Sequence, residues 1–268
     1  MKKENDCLTS APKPETHLVI QAIQNSLMAV AVRGPWRDLV TLVYKGAFGR
    51  SLNADKNNII ESEMAAQIRE RGFSLGAKLP DTLTNRVREF ALAGNQQVYI
   101  NPHLICDSIA EIVNDEKVLQ VVEQYLGVHK ICCCSKLWWN NPEHSEKTYS
   151  QGECGEIGSN TPFHYDLSDF QSLALFVYIS DVDNASGPHE IIEGSHRDRS
   201  LKRYWCRAIS EHEAHEKFPG KLVKFVGPAG TSFFEDVSCY HRRSQHDMSK
   251  VRLVLSAHYH LLGRPATA

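Results

Sequence analysis

The hydrophobic positions of this chain change their period near Lys130. Before it, apolar residues recur every three to four positions, the spacing of one helix face. Leu18, Ile20, Ile23, Leu27 and Val30 form the first such stripe, which Gly34-Pro35 ends. Residues 39–48 suit either a helix or a buried strand, and helix is the preferred reading. Residues 57–71 carry Ile60, Met64 and Ile68 four apart, with Gly72 as the C-terminal stop. Pro80 and Asp81 open a helix that Gly94 closes. Residues 107–126 read as one long helix with Ile109, Ile112, Val113, Val118, Val121, Val122 and Leu126 inward.

Beyond Lys130, runs rich in β-branched and aromatic residues alternate with clusters of Gly, Pro, Asn and Asp. The predicted strands are 131–139, 161–166, 173–180, 189–192, 222–226, 231–234 and 251–261. Helices first and many short strands after predict an α+β fold: a double-stranded β-helix, or jelly roll, braced by N-terminal helices. Residues 1–15, polar with two prolines, read as disordered, and 16–268 as a single domain with a mainly helical preface (16–129) and a jelly-roll core (130–262). The polar stretch 140–160 is long for a structureless connection, which suggests a lid or binding loop.

Composition narrows the setting. A chain of 268 residues, 42% hydrophobic and 23% charged, is long enough for a sizeable core. Its net charge of −2 gives no general attraction to nucleic acid or an anionic membrane. The first apolar stretch carries Gln21, Gln24 and Asn25 and is too short and polar to span a bilayer. Eight cysteines, three of them consecutive at Cys132, Cys133 and Cys134, show no CxxC spacing. Buried thiols in a reducing cytoplasm are the simplest reading.

The candidate chemistry starts in TPFHYDLSDFQS, residues 161–172. His164 and Asp166, two apart on a strand, point to one face. Two histidines and a carboxylate can hold iron with positions left open, and His241, seventy-seven residues on, offers the second imidazole. Histidine is frequent here, and His196 with Asp198 makes a second HxD, so spacing alone decides little. Arg252 stands eleven residues beyond His241, opening the apolar strand VRLVLSAHYH. A buried guanidinium there needs an anion, such as one carboxylate of 2-oxoglutarate; an ordinary surface or salt-bridged arginine is the other reading. Lys136 either points into the barrel toward a carboxylate or lies exposed. Of Trp138 and Trp139, adjacent on a strand, one faces inward and one outward.

Residues 164–196, HYDLSDFQSLALFVYISDVDNASGPHEIIEGSH, resemble the core of the phytanoyl-CoA dioxygenase family of Fe(II)- and 2-oxoglutarate-dependent oxygenases. The motifs are the HxD, a hydrophobic strand ending in a D-V turn, and a Gly-Ser-His segment, here preceded by Glu193 where the family has proline. The resemblance covers about residues 70–262 and implies His164, Asp166 and His241 as iron ligands, Arg252 as the 2-oxoglutarate anchor and His196 as structural. It places Phe176 against the cosubstrate, with Tyr178 on the same face; ordinary core packing is the alternative for both. His258 and His260 then take core or supporting roles, and Asp198 becomes charged surface.

The implied reaction couples oxidative decarboxylation of 2-oxoglutarate, with O2, to oxidation of an unactivated C–H bond of a small molecule. Relatives that halogenate have a small residue at the carboxylate position, so Asp166 argues for hydroxylation, with desaturation and cyclisation left open. Arg197, Arg199, Lys202, Arg203, Arg207, Arg242 and Arg243 cluster after the candidate ligands and suggest an anionic substrate, although such runs are also common as solvated faces. A sugar, lipid or secondary metabolite is compatible with the same site. Two other classes compete: a non-catalytic jelly-roll protein binding a metal or ligand, and a cupin-like isomerase or hydrolase using another metal.

Overall fold

The computed structural model describes residues 36–48, 62–128, 132–140, 162–166, 169–198, 200, 202–203, 206–244 and 250–261. The expected disordered N-terminus, the stripe from Leu18 to Val30 and the 141–160 loop lie outside them. Residues 36–48 are helical, as α1 (Trp36–Phe48). The next helix is α2 (Glu63–Arg71), capped by the Ser62 side chain at its start and by Gly72 (φ 88°) at its end. Gly72 also allows a close approach, since a Cβ there would sit 2.1 Å from Cys239 Sγ. α3 (Asp81–Gly94) follows. The stretch expected as one helix is two, α4 (Asp107–Val113) and α5 (Glu116–Leu126). Asp115 starts the second, its carboxylate accepting from the Lys117 and Val118 amides at 3.0 and 3.1 Å.

Two strands interrupt the helical region, β1 (Phe73–Leu75) and β2 (Val98–Ile100). Beyond Lys130 come β3 (Cys132–Asn140), β4 (Phe163–His164), β5 (Ser172–Tyr178), β6 (His189–Ile192), β7 (Ala208–Ile209), helix α6 (Glu211–Lys217), β8 (Leu222–Phe225), β9 (Ser232–Asp236), β10 (His241–Arg243) and β11 (Arg252–His260). They make two antiparallel sheets, a six-stranded one in the order β1-β9-β5-β11-β3-β2 and a five-stranded one in the order β7-β4-β10-β6-β8. The expected α+β jelly roll is the fold observed.

The period-two rule divides the larger sheet. Its outer residues Leu137, Leu173, Leu175, Val177, Phe234, Leu253, Leu255 and Tyr259 form one core with the helices, through Val87, Ile109, Val122 and Leu126 among others. Burial of this interface is the main stabilising term of the helical layer. Its inner residues face the second sheet: Ala174, Phe176, Tyr178, Phe233 and Val254 pack with Ile191 and Phe225. Trp138 packs with this inner group and Trp139 with the outer one, one ring to each side as expected. Among the described residues no helix is long and apolar enough to cross a membrane.

Candidate metal centre

The smaller sheet brings the two histidines together. β4 and β10 are antiparallel neighbours with His164 directly opposite His241, and their rings lie 4.7 Å apart. Asp166 follows the end of β4, where its amide donates to Val237 O at 2.8 Å. Alternation puts Tyr165 on the other side, in a small core with Tyr240 and Phe163, so His164 and Asp166 share the inner face. One ligand atom from each of His164, Asp166 and His241 falls within 4.8 Å of the others. His164 and Asp166 are partly exposed and His241 is buried.

The hydrogen bonds select the ligating nitrogens. His164 Nδ1 donates to Pro162 O at 3.1 Å, and His241 Nδ1 to Cys239 O at 3.0 Å. Each ring thus keeps Nε2 for the cluster, and His241 Nε2 lies 3.8 Å from Asp166 Oδ2. Burial, reinforced by His241, holds the His164 pKa below its ordinary value. Burial also pulls His241 down, but the charge of Glu235 and its hydrogen bond outweigh that and raise it. Two imidazoles and one carboxylate are a donor set suited to a divalent transition metal, which would take the Nε2 lone pairs in place of protons.

The other expected residues stand on the inner face of the larger sheet. Across the larger sheet, Lys136, Ser256, Phe176 and Phe233 stand in one register row, and Asn140 pairs with Arg252 four rows beyond. Phe176 is buried, stacked on Phe233 at 5.2 Å and 4.9 Å from the His189 ring. Lys136 is half-buried, with its ammonium 5.5 Å from the Trp138 ring and its pKa lowered by burial. Arg252 is 4% exposed and on the inner face, its guanidinium 6.0 Å from the Tyr178 ring. The surface reading of Arg252 is therefore wrong, because its strand enters the barrel at this residue.

Among the secondary expectations, some hold and some change. His196 is structural, with Nε2 3.1 Å from Arg69 O and Nδ1 3.3 Å from Cys239 Sγ. Glu193, where the family pattern has proline, pairs with Arg71 at 3.2 Å. Asp198 is not charged surface: its side chain is 7% exposed and pairs with Lys217 at 2.5 Å. Most of the basic run is also engaged. Arg203 is buried against the Tyr165 and Tyr240 rings, and Arg242 pairs with Glu190 and Glu211. Arg207 is the member of the run beside the cluster, with Nη2 3.9 Å from Asp166 Oδ1 and 43% of its side chain exposed.

No family model matches the chain. A probable alpha-ketoglutarate-dependent hypophosphite dioxygenase of Stutzerimonas stutzeri is 24% identical over 175 residues, 62% of this chain and 56% of that protein. The chain thus spans little more than half the length of this curated relative. Among solved structures, EctD from S. alaskensis with 2-oxoglutarate and 5-hydroxyectoine matches with a TM-score of 0.56 at 16% identity, over 76% of this chain and 77% of its own. The non-heme alpha ketoglutarate dependent epimerase SnoN from nogalamycin biosynthesis matches at 0.53 and 16%, over 73% and 79%. HygX from Streptomyces hygroscopicus, with nickel and 2-oxoglutarate bound, matches at 0.52 and 14%, over 75% and 86%. The chain shares their jelly-roll fold.

One acidic residue of this jelly roll escaped the sequence reading. Glu235 is fully buried on β9, with Oε1 3.0 Å from His241 Nδ1 and Oε2 2.5 Å from His189 Nε2. Burial would raise its pKa, yet the two imidazoles hold it well below the ordinary carboxylate range. The signal available was two acids, Glu235 and Asp236, in the apolar run beginning at Phe233.

Proposed function

We propose that the protein is an Fe(II)- and 2-oxoglutarate-dependent oxygenase of the phytanoyl-CoA dioxygenase type, with iron held by His164, Asp166 and His241. The observation that carries this reading is the convergence of those three side chains on the inner face of a jelly roll. Bound there, iron would supply the oxidant by coupling decarboxylation of 2-oxoglutarate to reduction of dioxygen. The chain's own part is to hold the metal through two Nε2 atoms and a carboxylate, and to anchor the far carboxylate of 2-oxoglutarate on the Arg252 fork. Phe176 gives the cosubstrate an apolar wall, and Lys136 is the next cation along the barrel. Water is kept from this end by the aromatic packing of Phe176, Tyr178 and Phe233.

The reaction proposed is hydroxylation of a small molecule, in keeping with the carboxylate at Asp166, and an anionic substrate suits the position of Arg207 beside it. The curated relative's name, a hypophosphite dioxygenase, points the same way. A cytoplasmic setting is proposed with this reading; among the described residues Cys106, Cys134, Cys206 and Cys239 are not in disulfides. Anaerobic addition of Fe(II) and 2-oxoglutarate is expected to produce a weak visible charge-transfer band, lost in the His164→Ala and Asp166→Ala variants. Succinate release, screened first against hypophosphite and other small oxyanions, identifies the substrate. A protein showing no band, or turning over without consuming oxygen, would refute the oxygenase reading.

A further inference from the structure

The least expected group inside the barrel is Glu235. It follows Phe233 and Phe234 on β9, and its carboxylate is 0% exposed. An unpaired carboxylate at such a position is strongly disfavoured, so what it touches is informative. In the larger sheet its register neighbours are Ala174 and Phe73, which offer no hydrogen. The carboxylate instead crosses to the smaller sheet. There His189 and His241 lie on adjacent strands with their rings 5.4 Å apart and nearly parallel, and Glu235 puts one oxygen on each. Ala174, the small residue between Glu235 and the row's next inward residue, His258, leaves the space for this crossing.

We infer that Glu235, held in place by His189, is a positioning residue for the metal ligand His241. His241 Nδ1 donates to Cys239 O at 3.0 Å, and Glu235 Oε1 lies at the same distance from Nδ1 as an ion-pair contact. The backbone carbonyl lies two residues away and turns with the ligand's own strand. The carboxylate comes from the opposite sheet, so it fixes the ring against rotation about its own backbone. It also keeps the proton on Nδ1, leaves Nε2 as the lone pair facing Asp166, and makes that lone pair a stronger donor. His164 has a backbone carbonyl as its Nδ1 partner and no carboxylate among the contacts described, so the two histidine ligands are not equivalent. His189 keeps Glu235 from turning away by occupying its second oxygen.

Glu190, 1% exposed and one residue from His189, is the natural control. It pairs with Arg242 and Lys224 and touches neither ligand. This inference rests on the proposed metal centre, and the test separates the two. Co(II) is titrated into the full-length metal-free protein and its visible bands recorded, alongside thermal unfolding without metal. Wild type failing to bind Co(II) would remove the metal centre itself, and this inference with it. With wild type binding, Glu235→Gln is expected to weaken Co(II) binding roughly 10–100-fold and to shift the cobalt bands, while Glu190→Gln leaves both unchanged. Should Glu235→Gln fail to fold, His189→Gln carries the test and is expected to weaken binding and shift the bands in the same direction. Unchanged affinity and bands in a folded Glu235→Gln, or in His189→Gln where that variant stands alone, would reduce Glu235 to a core residue and overturn the inference.

Discussion

On the proposed function, Arg252 is where one substitution would separate cosubstrate from metal. It is buried on the inner face at the start of β11, while the three candidate ligands sit on or beside β4 and β10. Arg252→Ala is expected to raise the 2-oxoglutarate requirement by one to two orders of magnitude, because a charge-assisted fork contributes about 1.5–3 kcal/mol. Iron binding without cosubstrate should stay as in wild type, so the measurement is the 2-oxoglutarate KM beside an Fe(II) titration. An unchanged KM moves the anchor elsewhere, with Lys136 the next cation on the inner face. At this scale the sequence was informative wherever a residue's partner is local or its direction follows from strand alternation. His164 and Asp166 share a face because they are two apart, and Tyr165 faces the other way. Glu235 and Arg203 were illegible for the opposite reason, since their partners lie across the sandwich or on loops that alternation does not locate.

At the scale of elements, the two strands that present His164 and His241 are short, two and three residues, and something must hold them. Arg203 does so from behind. Its guanidinium lies 4.3 Å from the Tyr165 ring and 4.9 Å from the Tyr240 ring, and these tyrosines adjoin His164 and His241 in sequence. It also donates to Ser195 O at 2.8 Å and to Ser238 O, while Tyr165 Oη donates back to Arg203 O at 2.5 Å. Arg203→Ala would remove the donor to Ser238 O, take one of two donors from Ser195 O, which keeps the Asp198 amide at 3.1 Å, and remove two ring contacts, a loss of about 2–4 kcal/mol in urea unfolding. Arg203→Lys should recover little, because an ammonium lacks the fork that reaches the Ser195 and Ser238 carbonyls together. A loss below about 0.5 kcal/mol, the range of ordinary surface changes, would contradict the bracing role. Element boundaries followed the same logic of length. β3, β5, β6, β8, β9 and β11 were legible within a few residues because their apolar or aromatic runs are continuous. β1 and β2, three residues each, are too short to show alternation and exist because β9 and β3 offer them an edge. The break between α4 and α5 carried a readable cap at Asp115, which the continuous apolar stripe obscured.

Across the whole molecule, three buried tyrosines join layers that the backbone alone does not connect. Tyr125 of α5 donates to Asp236 on β9 at 2.5 Å, Tyr178 of β5 donates to Phe225 O on the opposite sheet at 2.9 Å, and Tyr240 packs beneath Arg203. Burial raises the pKa of all three: well above the ordinary value for Tyr125, upward for Tyr178, and to about 12 for Tyr240. The ordinary phenol value is 10.0, so above it the unfolded chain gives up protons that the folded chain retains. The folded state then binds more protons, and its stability must decline as pH rises. The contribution is complete below the unfolded value and is lost as pH climbs through the folded one. Urea midpoints are therefore expected to show no tyrosine-linked change below about pH 9 and to fall steeply between about pH 10 and 12. Tyr178→Phe removes an ionisable group but keeps the ring, so its decline should be shallower than that of wild type, even though loss of the bond to Phe225 O lowers its midpoint at neutral pH. Absorbance of the phenolate near the same midpoints shows whether ionisation and unfolding coincide. Ionisation of all nine tyrosines near the ordinary value with the fold intact would refute the buried-phenol account.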